Sequence, residues 1–253
     1  MARRQIFAGN WKMYKTFNEA VDLVKGLIKD LGNTKGKEVV VFPPSVYVKD
    51  IVSLCKKSPI DVGIQNVYFE KEGAFTGEIS PVMAKDIGVK YILVGHSERR
   101  HVFHETDDEV NKKIKAALEI GVEPVVCVGE LLEEREAGKS EIVVNRQVEL
   151  AFKGIDIKQM EKILIAYEPV WAIGTGKVAT PEIADTMHKS IRTTLKKIYN
   201  DKVANEMPIL YGGSVKPDNI AELYAMENID GVLVGGASLK INSFLDIINV
   251  RNK

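Results

Sequence analysis

Short apolar runs alternate with longer segments of helical periodicity along the whole chain. Eight runs have the length and β-branched content of strands. They are Gln5–Ala8, Val39–Phe42, Asp61–Ile64, Tyr91–Val94, Pro124–Val128, Ile163–Tyr167, Ile209–Tyr211 and Gly231–Val234. Between them, Phe17–Leu31 carries Val21, Val24, Leu27, Ile28 and Leu31 at helical spacing. Thr106–Ile120 opens with Thr106 and Glu109 in capping-box positions. Pro181–Tyr199 has Thr180 at the N-cap and Pro181 at the first helical position. Helices are also expected at Pro217–Tyr224 and Ser238–Val250, with weaker patterns at Ser45–Leu54, Pro81–Ile87 and, broken, from Leu131 to Phe152.

Strand–helix alternation throughout implies a parallel sheet. The chain has 253 residues, close to the ~250 of a single α/β barrel. It has no linker-like stretch or compositional shift, so we expect one (β/α)8 barrel domain over residues 1–253, eight parallel strands with outer helices. The competing fold, an open doubly wound sheet, would show a GxGxxG turn after its first strand, where this chain has Gly9-Asn10-Trp11-Lys12.

Composition narrows the function classes. Lys+Arg and Asp+Glu each total 35, which argues against a nucleic-acid or anionic-membrane partner while allowing a locally positive pocket. No run approaches the ~20 apolar residues of a membrane span, and Ile6–Ala8 is too short for a secretory core. The two cysteines, Cys55 and Cys127, sit far apart in apolar contexts and read as buried free thiols in a reducing cytoplasm.

In such barrels chemistry sits at the carboxyl ends of the strands. That rule gathers Asn10 and Lys12, Gln65-Asn66, His96 to Arg99, Glu168, Gly212-Gly213-Ser214, and Gly235-Gly236 on one rim. Pro169 biases Glu168 towards an extended conformation at the end of a buried strand. Behind it, Trp171 to Ala179 forms an apolar loop with a Gly174-Thr175-Gly176 tip, the composition of a hinged lid. The final glycines suit backbone N–H contact with a phosphate. Lys12 reads as a snorkelling surface residue, a partly desolvated cation for an anionic substrate, or a Schiff-base lysine. His96, before a short helix, is expected to have a lowered pKa and a neutral ring able to polarise a carbonyl. His101, His104 and His188 receive no chemistry, and no metal site is expected. The long loop Asn66–Ser80, with Tyr68, Phe69 and Phe75, reads as a dimerisation arm.

Seven motifs carry a resemblance. They are AGNWKM (Ala8–Met13), QNVY (Gln65–Tyr68), GAFTGEIS (Gly73–Ser80), VGHSERR (Val94–Arg100), AYEPVWAIGTGK (Ala166–Lys177), YGGS (Tyr211–Ser214) and VGGASL (Val234–Leu239). Through them the chain resembles the triosephosphate isomerase family from end to end. The resemblance implies a TIM barrel and interconversion of dihydroxyacetone phosphate and D-glyceraldehyde 3-phosphate, with no metal or organic cofactor. It implies that Glu168 is the base, neutral His96 the electrophile and proton relay, and Lys12 the positive charge. Asn10 would orient Lys12, and Glu98 would be a supporting acid. Gly174, Ser214, Gly235 and Gly236 would hold the phosphate through backbone N–H groups, and Trp171, Ile173, Gly174, Thr175 and Gly176 would belong to the lid. It further implies a cytoplasmic homodimer in which Thr76 lies near the partner's Asn10 and the partner's Lys12, with Phe75, Glu78 and Arg99 in the contact. Two other readings stay open from the residues alone: a class I aldolase using Lys12 as a Schiff base, and an inactive barrel kept as a binding protein.

Overall fold

Strand residues alternate between two apolar environments, and this alternation builds the molecule. The computed structural model describes residues 3–34, 36–173 and 177–251. The strands are β1 (Ile6–Asn10), β2 (Glu38–Phe42), β3 (Ile60–Ile64), β4 (Tyr91–Val94), β5 (Glu123–Val128), β6 (Leu164–Tyr167), β7 (Ile209–Tyr211) and β8 (Gly231–Val234). All pairings are parallel and consecutive, and β8 returns to β1 to close the barrel. Ile6, Ala8, Val40, Phe42, Tyr91, Leu93, Val125, Cys127, Leu164, Ala166, Leu210 and Leu233 form an inner core. Their strand neighbours, such as Phe7, Val41, Ile92, Val126, Ile165 and Val232, join the larger core beneath the helices. A period of two in a sheet covered on both faces gives these two layers.

The helices are α1 (Phe17–Asp30), α2 (Val48–Cys55), α3 (Pro81–Asp86), α4 (Ser97–His101), α5 (Asp107–Glu119) and α6 (Leu132–Glu136), then α7 (Ser140–Ala151), α8 (Pro181–Ile198), α9 (Asp201–Glu206), α10 (Ile220–Ala225) and α11 (Ile241–Ile248). The expected caps form. Thr106 and Glu109 exchange hydrogen bonds at the start of α5, and Thr180 Oγ1 accepts the Ile183 N–H at the start of α8. The broken region after Leu131 is two helices, separated where Gly138 turns left-handed at φ 67°.

Several boundaries differ from the sequence reading. The first strand runs on to Asn10 because Gly9 and Asn10 still pair with Val41 and Phe42. The helix expected at Pro217–Tyr224 begins only at Ile220. The helix expected at Ser238–Val250 is a 3-10 turn at Gly236–Leu239, then α11, separated by the extended Lys240. Helix α9 had no apolar periodicity to announce it, although Asn200 caps it through the Val203 N–H.

The amino-end mouth of the barrel is sealed by charge. Arg4 donates to Glu38 at 2.7 Å, to Glu123 at 2.7 Å and to the Tyr91 hydroxyl at 2.9 Å, and Tyr91 donates to Glu38. The Arg4 hydrogen bond holds the Glu38 carboxyl below its ordinary pKa, against the opposing effect of burial. A carboxylate depressed in the folded state adds stability that is complete above its unfolded pKa and is lost as pH falls through the folded value. Glu38→Gln is therefore expected to lose about 2 kcal/mol at neutral pH, the scale of a charged hydrogen bond. Below about pH 4 its melting temperature should fall less steeply than that of the wild type. Thermal unfolding across pH checks both.

Candidate active site

The same alternation aims the rim. Ile6 and Ala8 face inward, and the next inward position on β1 is Asn10. Leu164 and Ala166 face inward, and the next is Glu168. On β5, β7 and β8 the corresponding positions are glycines: Gly129, Gly212 and Gly235. Apolar side chains fill the layers below, and the top layer is left open. At two of these glycines a side chain has no room. A Cβ on Gly129 would lie 1.7 Å from the Glu168 carbonyl oxygen, and one on Gly212 would lie 2.9 Å from Glu168 Cγ. Glu168 thus sits in a slot cut by glycines on the flanking strands. Its N–H donates to Val128 O at 2.7 Å, so its backbone still belongs to the ladder one residue past β6.

A cavity of about 370 Å³ opens above this layer. Asn10, Lys12, His96, Glu168, Ile173, Ser214, Gly235 and Gly236 all line it, drawn from β1, β4, β6, β7 and β8 or the loops after them. A side chain at Gly236 would meet no protein atom, so the backbone there is open to approach. Lys216 and Lys240 also line the cavity, and with Lys12 they outnumber Glu168. A chain with no net charge therefore carries a positive pocket suited to an anion.

Glu168 and His96 are in direct contact, with Nε2 3.0 Å from Oε1. The second carboxylate oxygen of Glu168 accepts the Ser97 N–H at 2.9 Å. Nδ1 of His96 accepts the Glu98 N–H at 3.3 Å, which assigns the ring proton of the neutral form to Nε2. Burial lowers the His96 pKa, but the charge and hydrogen bond of Glu168 outweigh it and the net direction is upward. The downward shift expected from the sequence is thus reversed, because the carboxylate lies against the ring. Burial raises the Glu168 pKa, yet His96, the Ser97 N–H and Lys12 bring it below the ordinary carboxyl value.

Lys12 is built under strain. Its φ is 50°, and Asn10 Oδ1 accepts its N–H at 3.0 Å while Gln65 Nε2 donates to its carbonyl at 2.9 Å. Its ammonium pairs with Glu98 at 2.6 Å. Glu98 lines a neighbouring groove instead of the cavity. Trp171 is buried behind the rim and donates from Nε1 to Glu130 at 2.8 Å. Gly174, Thr175 and Gly176 lie outside the described residues, and with them the lid tip and one expected phosphate contact. Thr76, Phe75 and Glu78 are exposed on the long loop, away from the cavity. Arg99 pairs with Glu105 of its own chain at 2.6 Å.

Sequence reasoning placed Ser97 on the rim without a role of its own and passed over Glu130 and the glycine slot. Glu130 is fully buried and also accepts the Tyr167 hydroxyl at 3.1 Å. Burial pushes its carboxyl pKa up, partly offset by these hydrogen bonds. Its signal was available, since Gly129-Glu130 follows a strand and falls under the same rim rule.

Comparison with known proteins finds a family model and relatives that match nearly the whole chain. The model of the triosephosphate isomerase family matches residues 5–251. A protein named triosephosphate isomerase from Roseiflexus sp. (strain RS-1) is 51% identical over 247 residues, 98% of this chain and 97% of that one. The protein of that name from Carboxydothermus hydrogenoformans is 52% identical over 246 residues, 97% of this chain and 98% of its own. The one from Clostridium tetani is 51% identical over 249 residues, covering 98% and 97%.

The coupling of His96 to Glu168 has a measurable sign. In Glu168→Gln the main upward pull is removed, while burial and Lys12 remain and only the weaker pull of Glu98 opposes them. His96 should then titrate below the ordinary imidazole pKa, and above it in the wild type. Histidine ¹⁵N NMR across pH checks this; an unchanged titration in the variant would show that the carboxylate does not govern the ring.

Proposed function

Because the chain belongs to the triosephosphate isomerase family, we propose that it interconverts dihydroxyacetone phosphate and D-glyceraldehyde 3-phosphate through an enediolate, as a step of glycolysis and gluconeogenesis. The observation that carries this reading is the convergence of a carboxylate, an imidazole and an ammonium on one cavity.

Glu168 is the base. In this structure its oxygens are engaged by Ser97 and His96, so the carboxylate must turn from them towards the cavity to reach a substrate carbon. That turn exchanges hydrogen bonds that stabilise its charge for a drier setting, which makes it a stronger base. With substrate oxygens in its place, His96 loses the charge that raises its pKa. Burial and Lys12 then favour the neutral ring, which donates Nε2–H to the carbonyl and carries protons between the two oxygens. Lys12 stabilises the developing enediolate, Asn10 fixes the Lys12 backbone, and Glu98 holds the ammonium until substrate competes for it. The cast supplies every proton transfer from side chains and calls on no cofactor. Lys12, as an ion-paired ammonium, is poorly placed for Schiff-base chemistry.

The phosphate lies against the backbone of Ser214, Gly235 and Gly236, with Gly174 from the lid. The lid, carrying Trp171, Ile173 and the 174–176 tip, closes on the bound phosphate. Closure excludes water and spends binding energy from a non-reacting group on the reacting centre. No helix among the described residues is long and apolar enough to cross a membrane, and we place the enzyme in the cytoplasm.

The protein is further proposed to be a homodimer. The long loop is stiffened within its own subunit by stacking of Tyr68 on Phe69 at 4.1 Å and of Phe75 against Tyr68 at 4.6 Å. Beside the cavity lies a groove of about 500 Å³ lined by Met13, Val46, Glu98, Arg99 and Phe103. Met13 is 94% exposed, Val46 78% and Phe103 64%, an apolar surface that a second copy would cover.

Isomerase assays with D-glyceraldehyde 3-phosphate test the activity. Glu168→Asp withdraws the carboxylate by about one bond, and a ~1 Å misplacement should cost about a hundredfold in kcat. A slow wild type or an unaffected variant would overturn the reading. Analytical ultracentrifugation should give a dimer, and an active monomer would refute the assembly.

A further inference from the structure

We propose that Arg100 is a positioning residue whose guanidinium holds the turn that aims His96 at Glu168. This rests on the reading of His96 given above.

The turn breaks the alternation of β4. Tyr91 and Leu93 face inward, so continued extension would place residue 95 inward and residue 96 outward. Gly95 instead adopts φ +70°, and His96 comes round to within 3.0 Å of the Glu168 carboxylate. Glycine permits this conformation but does not enforce it. Gly95 also lies one residue past the last ladder pair of β4, Val94 with Val126. The peptide that sets the ring therefore needs restraint from side chains.

Both backbone polar groups of Gly95 are taken by side chains. Its carbonyl accepts Arg100 Nε at 2.8 Å, and its N–H donates to Glu105 Oε1 at 3.2 Å. Arg100 uses its other two nitrogens elsewhere. Nη1 donates to Asp107 at 2.6 Å, at the start of α5, and Nη2 donates to Cys127 O at 3.3 Å, on β5. Cys127 pairs with Ala166, two residues before Glu168. One planar group thus ties the turn before His96 to the strand beside the one that delivers Glu168. The group also packs on the bare face of the glycine, where a Cβ would lie 3.0 Å from Nη2. The Arg100 side chain is only 8% exposed. Burying a guanidinium is costly unless its donors are matched, and here its three nitrogens reach three different elements. An ammonium at this position has no fixed fork and cannot reproduce the three-way tie.

Glu105 serves the same turn, but it also binds Arg99 and Lys113, so its variants would disturb more than His96. Arg100→Lys keeps the charge and removes the fork. Asp107→Asn keeps Arg100 and removes its charged tether, and it serves if Arg100→Lys does not fold. Each is made in the full chain and read by kinetics with D-glyceraldehyde 3-phosphate and by the Nε2–H resonance of His96, tractable with 4 histidines in the sequence. For folded Arg100→Lys we expect kcat to fall roughly ten- to a hundredfold with KM changed by less than about twofold, since orientation is lost and binding is kept. The His96 resonance should shift or broaden, and Asp107→Asn should move both readouts in the same direction by less. A folded variant with wild-type kcat and an unmoved His96 resonance would overturn the proposal, as would a lowered melting temperature with both readouts unchanged. If the wild type shows no isomerase activity, the functional reading fails on its own. The His96 resonance then decides alone whether Arg100 places the ring.

Discussion

Alternate residues of a closed parallel barrel must point to its axis, and the space there narrows to what eight strands leave. This constraint governs both the stability and the site. In the lower layers it is met by apolar side chains, from Ala8 and Ala166 to Phe42 and Tyr91, buried against one another. At the carboxyl end Asn10 and Glu168 point there beside three glycines, Gly129, Gly212 and Gly235. The cavity is a layer of the core from which side chains have been withheld. Its walls inherit the rigidity of the packing beneath, which is what a reaction sensitive to ångström placement needs.

Within that frame the site stores opposing electrostatic demands. A fully buried carboxylate is unfavourable by itself, and so is a buried imidazolium. Placed 3.0 Å apart, each makes the charge of the other tolerable. The Ser97 N–H adds a fixed dipole at the amino end of α4. The pair is stable only while it stays together, so a ligand that separates the two groups changes the proton affinity of both.

Much of this was legible in the residues. Strand positions were readable because apolar runs of three to five residues bounded by glycine, proline and charge have few other uses. The rim followed from topology, since a parallel barrel presents all its strand ends on one face. What escaped was of another kind. The reversed pKa direction of His96 depends on a carboxylate 72 positions away in sequence, and pairwise geometry of that sort leaves no local pattern. Gly129 and Glu130 fell under the same rim rule but carried no pattern that sets them apart from an ordinary loop; the Glu168 backbone pressed against Gly129 is what marks them. Helix α9 and the split before α11 turned on caps and one extended residue, below the resolution of periodicity.

The closure of β1 on β8 has a consequence for how the molecule comes into being. Asn10 and Lys12 leave the first strand, and Gly235 and Gly236 follow the last. No partly synthesised chain owns both walls of the cavity. The inner core, too, lacks a side until the final strand docks, so the contacts that complete it have the greatest sequence separation in the fold and the slowest expected formation. Until then the β1 and β7 edges that β8 will join remain unpaired and prone to wrong partners. The seam between the first and last strands is thus both the place where nascent copies are most vulnerable and the last part of the active site to exist.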